Sequence, residues 1–442
     1  MSVFTKRVLT LGLPIIGGMV SQNILNLVDM VMIGQLGTAA LAGAGIGSFL
    51  FFMSFSSFQG IANASQTMIA RFVGEDRRHL ITIPLTFGFI AMVFFSVLIT
   101  GLIYTITPWL ISLFSNESAV YTTGVDYFQF RILGLPFLTF CMLIRGFWNG
   151  VSRPMRYLNV IIVVHCINIL LNYGLIFGNL GLPELGASGA GLASTIALIV
   201  GASIYFLDTF KFFKPSVIRN QSKIFLKQQF SWLVTLALPN SIQQFIFATG
   251  VSVFYWILGL LGTNEMAIGN VLVNVILVGI LPGVGFGMAT MTLVSESLGQ
   301  KDIRLAFQWP YHAAKVAGVI IGSLCLVAMI FPRIILTPFI IDPELRNAAV
   351  LPLQIDCIAV MLEVFALIFM NALNGADQTK IVAWISSICQ WIFFLPLAYL
   401  VTITFGFGLN GIWVMWGLFQ GLQLSIYILF WHLRLGKKVQ LI

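Results

Sequence analysis

Residues 13–38 read LPIIGGMVSQNILNLVDMVMIGQLGT, and residues 238–263 read LPNSIQQFIFATGVSVFYWILGLLGT. Each stretch opens on Leu-Pro, stays largely apolar for about seven helical turns, and closes on Leu-Gly-Thr. They lie 225 positions apart, and the same shift carries Gly34 to Gly259, Gly60 to Gly285, Gly74 to Gly299 and Asn149-Gly150 to Asn374-Gly375. A shift of 222 then aligns Gly186 with Gly408 and Gly189 with Gly411. The chain is an internal duplication.

Hydrophobic residues make up 59% of the 442 and charged ones 9%, a composition foreign to soluble globules. A bilayer core needs ~20 apolar residues per helical span, and such stretches follow one another with short polar breaks. They are read at 8–34, 39–70, 80–106, 121–148, 157–177 and 187–210, then at 232–261, 266–294, 311–330, 348–373, 381–404 and 411–430. The expected fold is an all-α polytopic membrane protein of twelve transmembrane helices. Its two six-helix bundles enter the membrane in the same direction and are related by a pseudo-twofold axis along the membrane normal. The first lobe is expected at 1–210, a cytoplasmic linker at 211–229 and the second lobe at 230–442.

Basic residues collect in alternate loops: Lys6 and Arg7; Arg71, Arg77 and Arg78; Arg153 and Arg156; Lys211 to Lys227; Lys301 and Arg304; Lys380; Arg434 to Lys438. Those loops read as cytoplasmic, as do both termini. The net charge of +8 is therefore a signal of topology, and no basic face or stacking motif suggests nucleic acid. The first apolar segment runs from Val8 past Asp29 to Gly34, too long for a cleaved leader, and is expected to stay as helix one. Cys141, Cys166, Cys325, Cys357 and Cys389 have no paired spacing, and His79, His165, His312 and His432 share no metal-ligand spacing. Neither an enzyme nor a metal or cofactor protein is expected.

Charge inside a span is costly unless it faces a cavity or a partner. Asp29 stands five residues before Gly34, ~7 to 8 Å deep in the outer half of helix one. In span five His165, Asn168 and Asn172 share a helical face. Asn172 lies ~9 Å from the outer end of its span, near the depth of Asp29, and Ser194 of span six is similarly placed. Asp29, Asn168, Asn172 and Ser194 are thus expected to form a buried polar network that takes up a proton or a small hard cation. An apolar surrounding favours the uncharged acid, and Pro14, with Gly17 and Gly18, gives helix one a place to bend. Protonation of Asp29 is expected to couple to that bend.

The second half has Phe254 where the first has Asp29, so this network is confined to one lobe. Glu363, in span ten, is the deep carboxylate of the second lobe and a candidate for a second ion or substrate site. Arg131 and Asp356 occupy equivalent positions in spans four and ten, which suggests either mutual pairing or separate local partners, with a structural pair the favoured reading. Phe51 and Phe55 in span two, with Tyr255 and Trp256 in span seven, are candidate walls of a cavity for flat cationic compounds.

The run Val28-Asp29-Met30-Val31-Met32-Ile33-Gly34-Gln35-Leu36-Gly37, Pro14 fifteen residues before Asp29, Gly146-Phe147-Trp148-Asn149-Gly150-Val151-Ser152-Arg153-Pro154 and Asn374-Gly375-Ala376-Asp377 resemble the multidrug and toxic compound extrusion (MATE) exporters. The resemblance covers essentially the whole chain. It implies a bacterial inner-membrane antiporter that exchanges lipophilic, often cationic drugs for protons or sodium by alternating access. It also implies an ion site at Asp29, Asn168, Asn172 and Ser194, and a helix-ten carboxylate at Glu363, twelve residues before Gly375. Many relatives have aspartate where Asn172 stands, and the sodium-linked branch has an acid in helix seven that is missing here. The proton is therefore the expected coupling ion, with sodium possible at Asp29, Asn168 and Asn172. Small-molecule drugs and organic cations are the expected partners, the bilayer the medium and a monomer the working unit.

Two rivals within transport are a flippase for a lipid-linked precursor, which calls for several cations in its cleft, and a major facilitator, whose loop signature Gly74-Glu75-Asp76-Arg77 echoes. The charge distribution itself can be tested: alkaline phosphatase fused in the bacterial inner membrane after Glu184 or Ile341 should be active, and after Ser222 inactive. The opposite pattern would invert the assigned orientation.

Overall fold

The computed structural model describes residues 3–115 and 117–436. Among these the chain is helical, and twelve spans follow one another. They are α1 (Val3–Gly34), α2 (Thr38–Gly74), α3 (Arg78–Ser112), α4 (Ser118–Ile132 and Leu135–Gly150), α5 (Met155–Phe177) and α6 (Gly186–Phe212), then α7 (Lys223–Leu261), α8 (Thr263–Gly299), α9 (Ile303–Ile330), α10 (Pro343–Gly375), α11 (Thr379–Thr404) and α12 (Gly408–Gly436). Each expected span has its helix. Lys437 and Lys438 of the last basic group lie outside the described residues.

Three departures have local causes. α4 bends by 49° between its two segments. Pro136, in the first turn of the second segment, has no N–H to offer the Ile132 carbonyl, which instead faces the Thr100 hydroxyl at 3.5 Å. The Thr195 hydroxyl takes the Phe130 carbonyl at 2.8 Å. The second-half counterpart of Pro136 is Met361, and α10 runs unbroken. α7 begins at Lys223, earlier than its apolar core suggests, because its first turns carry Phe225, Phe230 and Trp232, which pack on Arg77, Phe87 and Phe72. In α11, π-helical stretches at Cys389–Phe394 and Leu400–Thr404 flank the turn containing Pro396.

Contacts divide the chain into two compact units whose main limits fall inside α1 and α7 rather than in the basic linker. Unit one comprises Met1–Ile16, Val73–Asp76 and Ile242–Ile442; unit two comprises Gly17–Phe72 and Arg77–Ser241. The limits at Ile16 and Ser241 are themselves 225 residues apart.

Glycine contacts show why. In unit two a Cβ on Gly60 of α2 would run into the backbone N of Ser241 in α7. In unit one a Cβ on Gly285 of α8 would meet the backbone N of Ile16 in α1 at 3.2 Å. Both members of the second pair stand 225 positions beyond or before their counterparts, so the duplication extends to individual atoms. The loop-motif glycines repeat it: Gly150 abuts the Gln66 carbonyl, and Gly375 abuts the Met291 carbonyl. Small residues let membrane helices close on one another where no hydrophobic effect drives them together.

Gly375→Val forces a branched side chain against the Met291 carbonyl and should cost about 1–3 kcal/mol. Gly34 has nothing within 4 Å of a built Cβ, so Gly34→Val should be neutral. Melting of the two purified variants, followed by loss of the monodisperse chromatographic peak, distinguishes them.

Candidate functional site

Three helices of unit two hold the first-lobe residues. Gly17 and Gly18 let α1 lie against α5, where built Cβ atoms would touch Leu158 at 3.3 Å and Tyr157 at 3.4 Å. One turn and more above that contact the two helices face each other with polar stripes. On α1 these are Gln22, Asn26 and Asp29, spaced i, i+4, i+7; on α5 they are His165, Asn168 and Asn172, spaced i, i+3, i+7. Both bridging pairs, Gln22 with His165 and Asp29 with Asn172, are 143 residues apart, the signature of one parallel register.

The hydrogen bonds form a chain. Asn172 Nδ2 donates to Asp29 Oδ1 at 2.6 Å and to Asn168 Oδ1 at 2.9 Å, and Asn168 Nδ2 donates to Ser194 Oγ at 3.0 Å. Asn168, Asn172 and Ser194 are buried, while Asp29 is half-buried. Below them Gln22 Nε2 donates to Asn26 Oδ1 and Gln22 Oε1 lies 3.2 Å from His165 Nε2. Asn172 Oδ1 is buried without a partner. Four residues singled out in the sequence thus meet in one network; Gln22 and Asn26 were not singled out, although the α1 spacing contains them.

The equivalent region of unit one is aromatic. Phe254 replaces Asp29, and Ser194, under the shift of 222, becomes Trp416. The Phe254 ring lies 5.7 Å from Trp416 and 6.1 Å from Phe394, with Trp413 and Phe419 completing the cluster. Glu363 is buried behind it, accepting from Trp416 Nε1 at 3.2 Å, with Gln420 as a second partner.

Arg131 belongs to unit two and Asp356 to unit one, each with surroundings of its own. Arg131 lies with its guanidinium 4.5 Å from the centre of the buried Phe51 ring. Both oxygens of fully buried Asp356 have no hydrogen-bond partner.

The aromatic candidates belong to both units, two in each. Phe51 touches Phe55, with ring centres 5.7 Å apart, in unit two. In unit one Tyr255 packs on Phe254, and Trp256, 58% exposed, stacks on Tyr399. Two further intramembrane charges escaped the sequence reading. Glu296 of α8 pairs with Arg7 of α1 at 2.6 Å, and Arg145 of α4 holds Gln59 of α2. Among the described residues no three His, Cys, Asp or Glu side chains cluster as metal ligands, so a cation beside Asp29 would have to rely on amide and hydroxyl oxygens.

Residues 14–174 and 239–400 each match the model of the MatE family. The chain is similar to the probable multidrug resistance protein NorM of Mannheimia succiniciproducens, 24% identical over 421 residues that cover 92% of this chain and 89% of that protein. In fold it is similar to a MATE transporter crystallised with MaL6, with a TM-score of 0.88, 17% identity and coverage of 99% and 97%. A MOP superfamily transporter from Pyrococcus furiosus is equally similar, with a TM-score of 0.88, 17% identity and coverage of 98% and 96%.

Asn168 is the middle of the hydrogen-bonded chain. Asn168→Leu strands the Ser194 hydroxyl and removes one acceptor from Asn172, a loss of about 1–3 kcal/mol, whereas Tyr173→Phe on the exposed side of α5 should leave melting unchanged. Equal melting temperatures for both variants would show that the chain contributes no stability.

Proposed function

The chain belongs to the MatE family, and we propose that it is a proton-driven antiporter exporting lipophilic, often cationic compounds across a bacterial inner membrane. Family membership makes it a transporter rather than an enzyme and removes the major facilitator reading. The observation that carries the export mechanism is the hydrogen bond from Asn172 Nδ2 to Asp29 Oδ1 at 2.6 Å.

As a carboxylate, Asp29 accepts the Asn172 amide, which also donates to Asn168. A protonated Asp29 becomes a donor. Asn172 can receive it by turning its amide over, since its Oδ1 is buried and unpartnered. That turn removes the donors on which Asp29 and Asn168 rely, so proton uptake rearranges the whole chain to Ser194. The charge-assisted bond that held Asp29 to α5 is then a neutral one, about half as strong, and α1 is freer to change its course.

Helix α1 has its weak point where such a change would be felt. Pro14 lacks the N–H of a regular turn, and two residues later the helix passes from unit one to unit two. Gly17 and Gly18 follow at once. In this reading Asp29 holds the outer end of α1 to α5, Pro14 lets the helix bend, and both units register the bend because each owns part of α1. Sodium is the second candidate ion, with Asp29, Asn168 and Asn172 offering oxygens and Asp29 the one carboxylate among them. Both compact units are completed within one chain, which supports a monomer. Both termini are proposed to be cytoplasmic, as the alternate basic loops indicate.

Vesicles containing the protein should export ethidium under an imposed proton gradient, and Asp29→Asn should lower the rate at least about tenfold, as expected when the group that carries the coupled charge is removed. Export driven by a sodium gradient alone would reassign the ion. No export under either gradient, with both variants correctly folded, would overturn drug export in favour of the lipid-precursor flippase.

A further inference from the structure

Arg145 is a deep cation of unit two that the coupling chain does not use. It stands five residues before Gly150, at the end of α4, ~7–8 Å inside the span at the helical rise. By the distribution of basic loops this is the inner half of the bilayer. Here α4 and α2 approach backbone to backbone. A Cβ on Gly146 would meet the Ala62 carbonyl at 2.6 Å, and one on Gly150 the Gln66 carbonyl at 2.9 Å. That closeness sets Arg145 against Gln59, whose Oε1 accepts from Arg145 Nη2 at 2.6 Å.

A guanidinium carries five N–H donors and no acceptor. Gln59 is the one acceptor Arg145 has among the described residues, and its Nε is buried without a partner. Other cations have a counter-charge or a ring face: Arg7 has Glu296, Arg156 has Asp208, and Arg131 has the face of Phe51. A membrane-embedded arginine commonly extends its head toward the headgroups. The Arg145 side chain is instead half-buried, enclosed at Nε and held sideways by an amide oxygen that brings no counter-charge. Unused planar donors on a positive charge are what a two-oxygen anion satisfies, by paired parallel hydrogen bonds.

We propose that Arg145, held by Gln59, is an oxyanion site in the inner half of unit two that receives the carboxylate of a transported compound. This rests on the export reading above and adds to it a substrate chemistry: amphiphiles bearing an acid group as well as a flat, lipophilic body. Asp29 in the outer half and Arg145 in the inner half then give one unit separate places for a proton and for an anion. A lipid phosphate offers the same kind of oxygens and is the other source of such an anion.

The test uses a rhodamine carboxylate and its methyl ester, fluorophores of nearly one size that differ by the anionic group. Purified full-length protein in phosphatidylcholine vesicles is assayed for export of each, and the same protein in neutral detergent for equilibrium binding of each by fluorescence anisotropy. The wild type should prefer the carboxylate by about tenfold, the scale of a charge-assisted paired hydrogen bond. Arg145→Gln should erase the preference, and Arg145→Lys should retain part of it. Gln59→Glu supplies an internal carboxylate at the same position and should also erase it, which keeps the test available if the arginine variant does not fold. Equal affinity of the wild type for the two dyes overturns the proposal, as does a preference that survives both Arg145→Gln and Gln59→Glu. If anionic lipid raises the melting temperature of the wild type but not of Arg145→Gln, and neither dye is preferred, the occupant is a headgroup and the substrate assignment fails. Loss of gradient-driven export with carboxylate preference in binding intact would sink the export reading while leaving the oxyanion site standing.

Discussion

A hydrocarbon interior offers no hydrogen bonds, so every polar side chain within it must be satisfied by another part of the same chain or by a ligand. The arrangement of unit two follows from this. Asp29 could not sit in α1 without Asn172, Asn172 donates onward to Asn168, and Asn168 needs Ser194. The demand for partners sets the rotation of α1 against α5 and of α5 against α6, and the parallel register of Gln22 with His165 repeats it two turns below. Asn172 Oδ1, one of the buried atoms left without a partner, is then a place where a proton can act without first breaking a bond.

Much of this could be read in the chain. The spans, the duplication and the four residues of the polar chain follow from composition, periodicity and depth, because each depends on one helix at a time. What could not be read depends on which face of one helix meets another. Gln22 and Asn26 share the Asp29 stripe, yet amides are cheap enough at a helix surface that their spacing raises no alarm. Arg145 was passed over beside the loop motif, and Glu296 sits just past the expected end of its span. Pro136 marks where the halves part, bending α4 while α10, with Met361, runs straight.

Symmetry and its loss divide the labour. The glycines that set helix spacing are kept in register to the atom, with Gly60 on Ser241 answering Gly285 on Ile16, and Gly150 on Gln66 answering Gly375 on Met291. The chemistry is not kept. Where unit two has an acid, amides and a hydroxyl, unit one has Phe254, Phe394 and Trp416, with Glu363 beneath the indole. The repeated frame preserves geometry, and the polar network can differ because no backbone contact passes through it.

The sharing of α1 and α7 between units also bears on how the protein is made. When the sixth span leaves the ribosome, unit two still lacks the first turns of α7. Ala64 and Met68 must wait for Leu233, Leu236 and Ala237 to cover them, and Gly60 for Ser241. The opening turns of α1, meanwhile, have been synthesised first and have no α8 to lie against until nearly three hundred residues have emerged. The first six spans can therefore not finish folding before the start of α7, and in α1 before α8, has followed them. A chain truncated at the linker would expose the seams of an incomplete bundle to lipid and to quality-control proteases, and gene duplication here has produced a protein whose halves are completed only together.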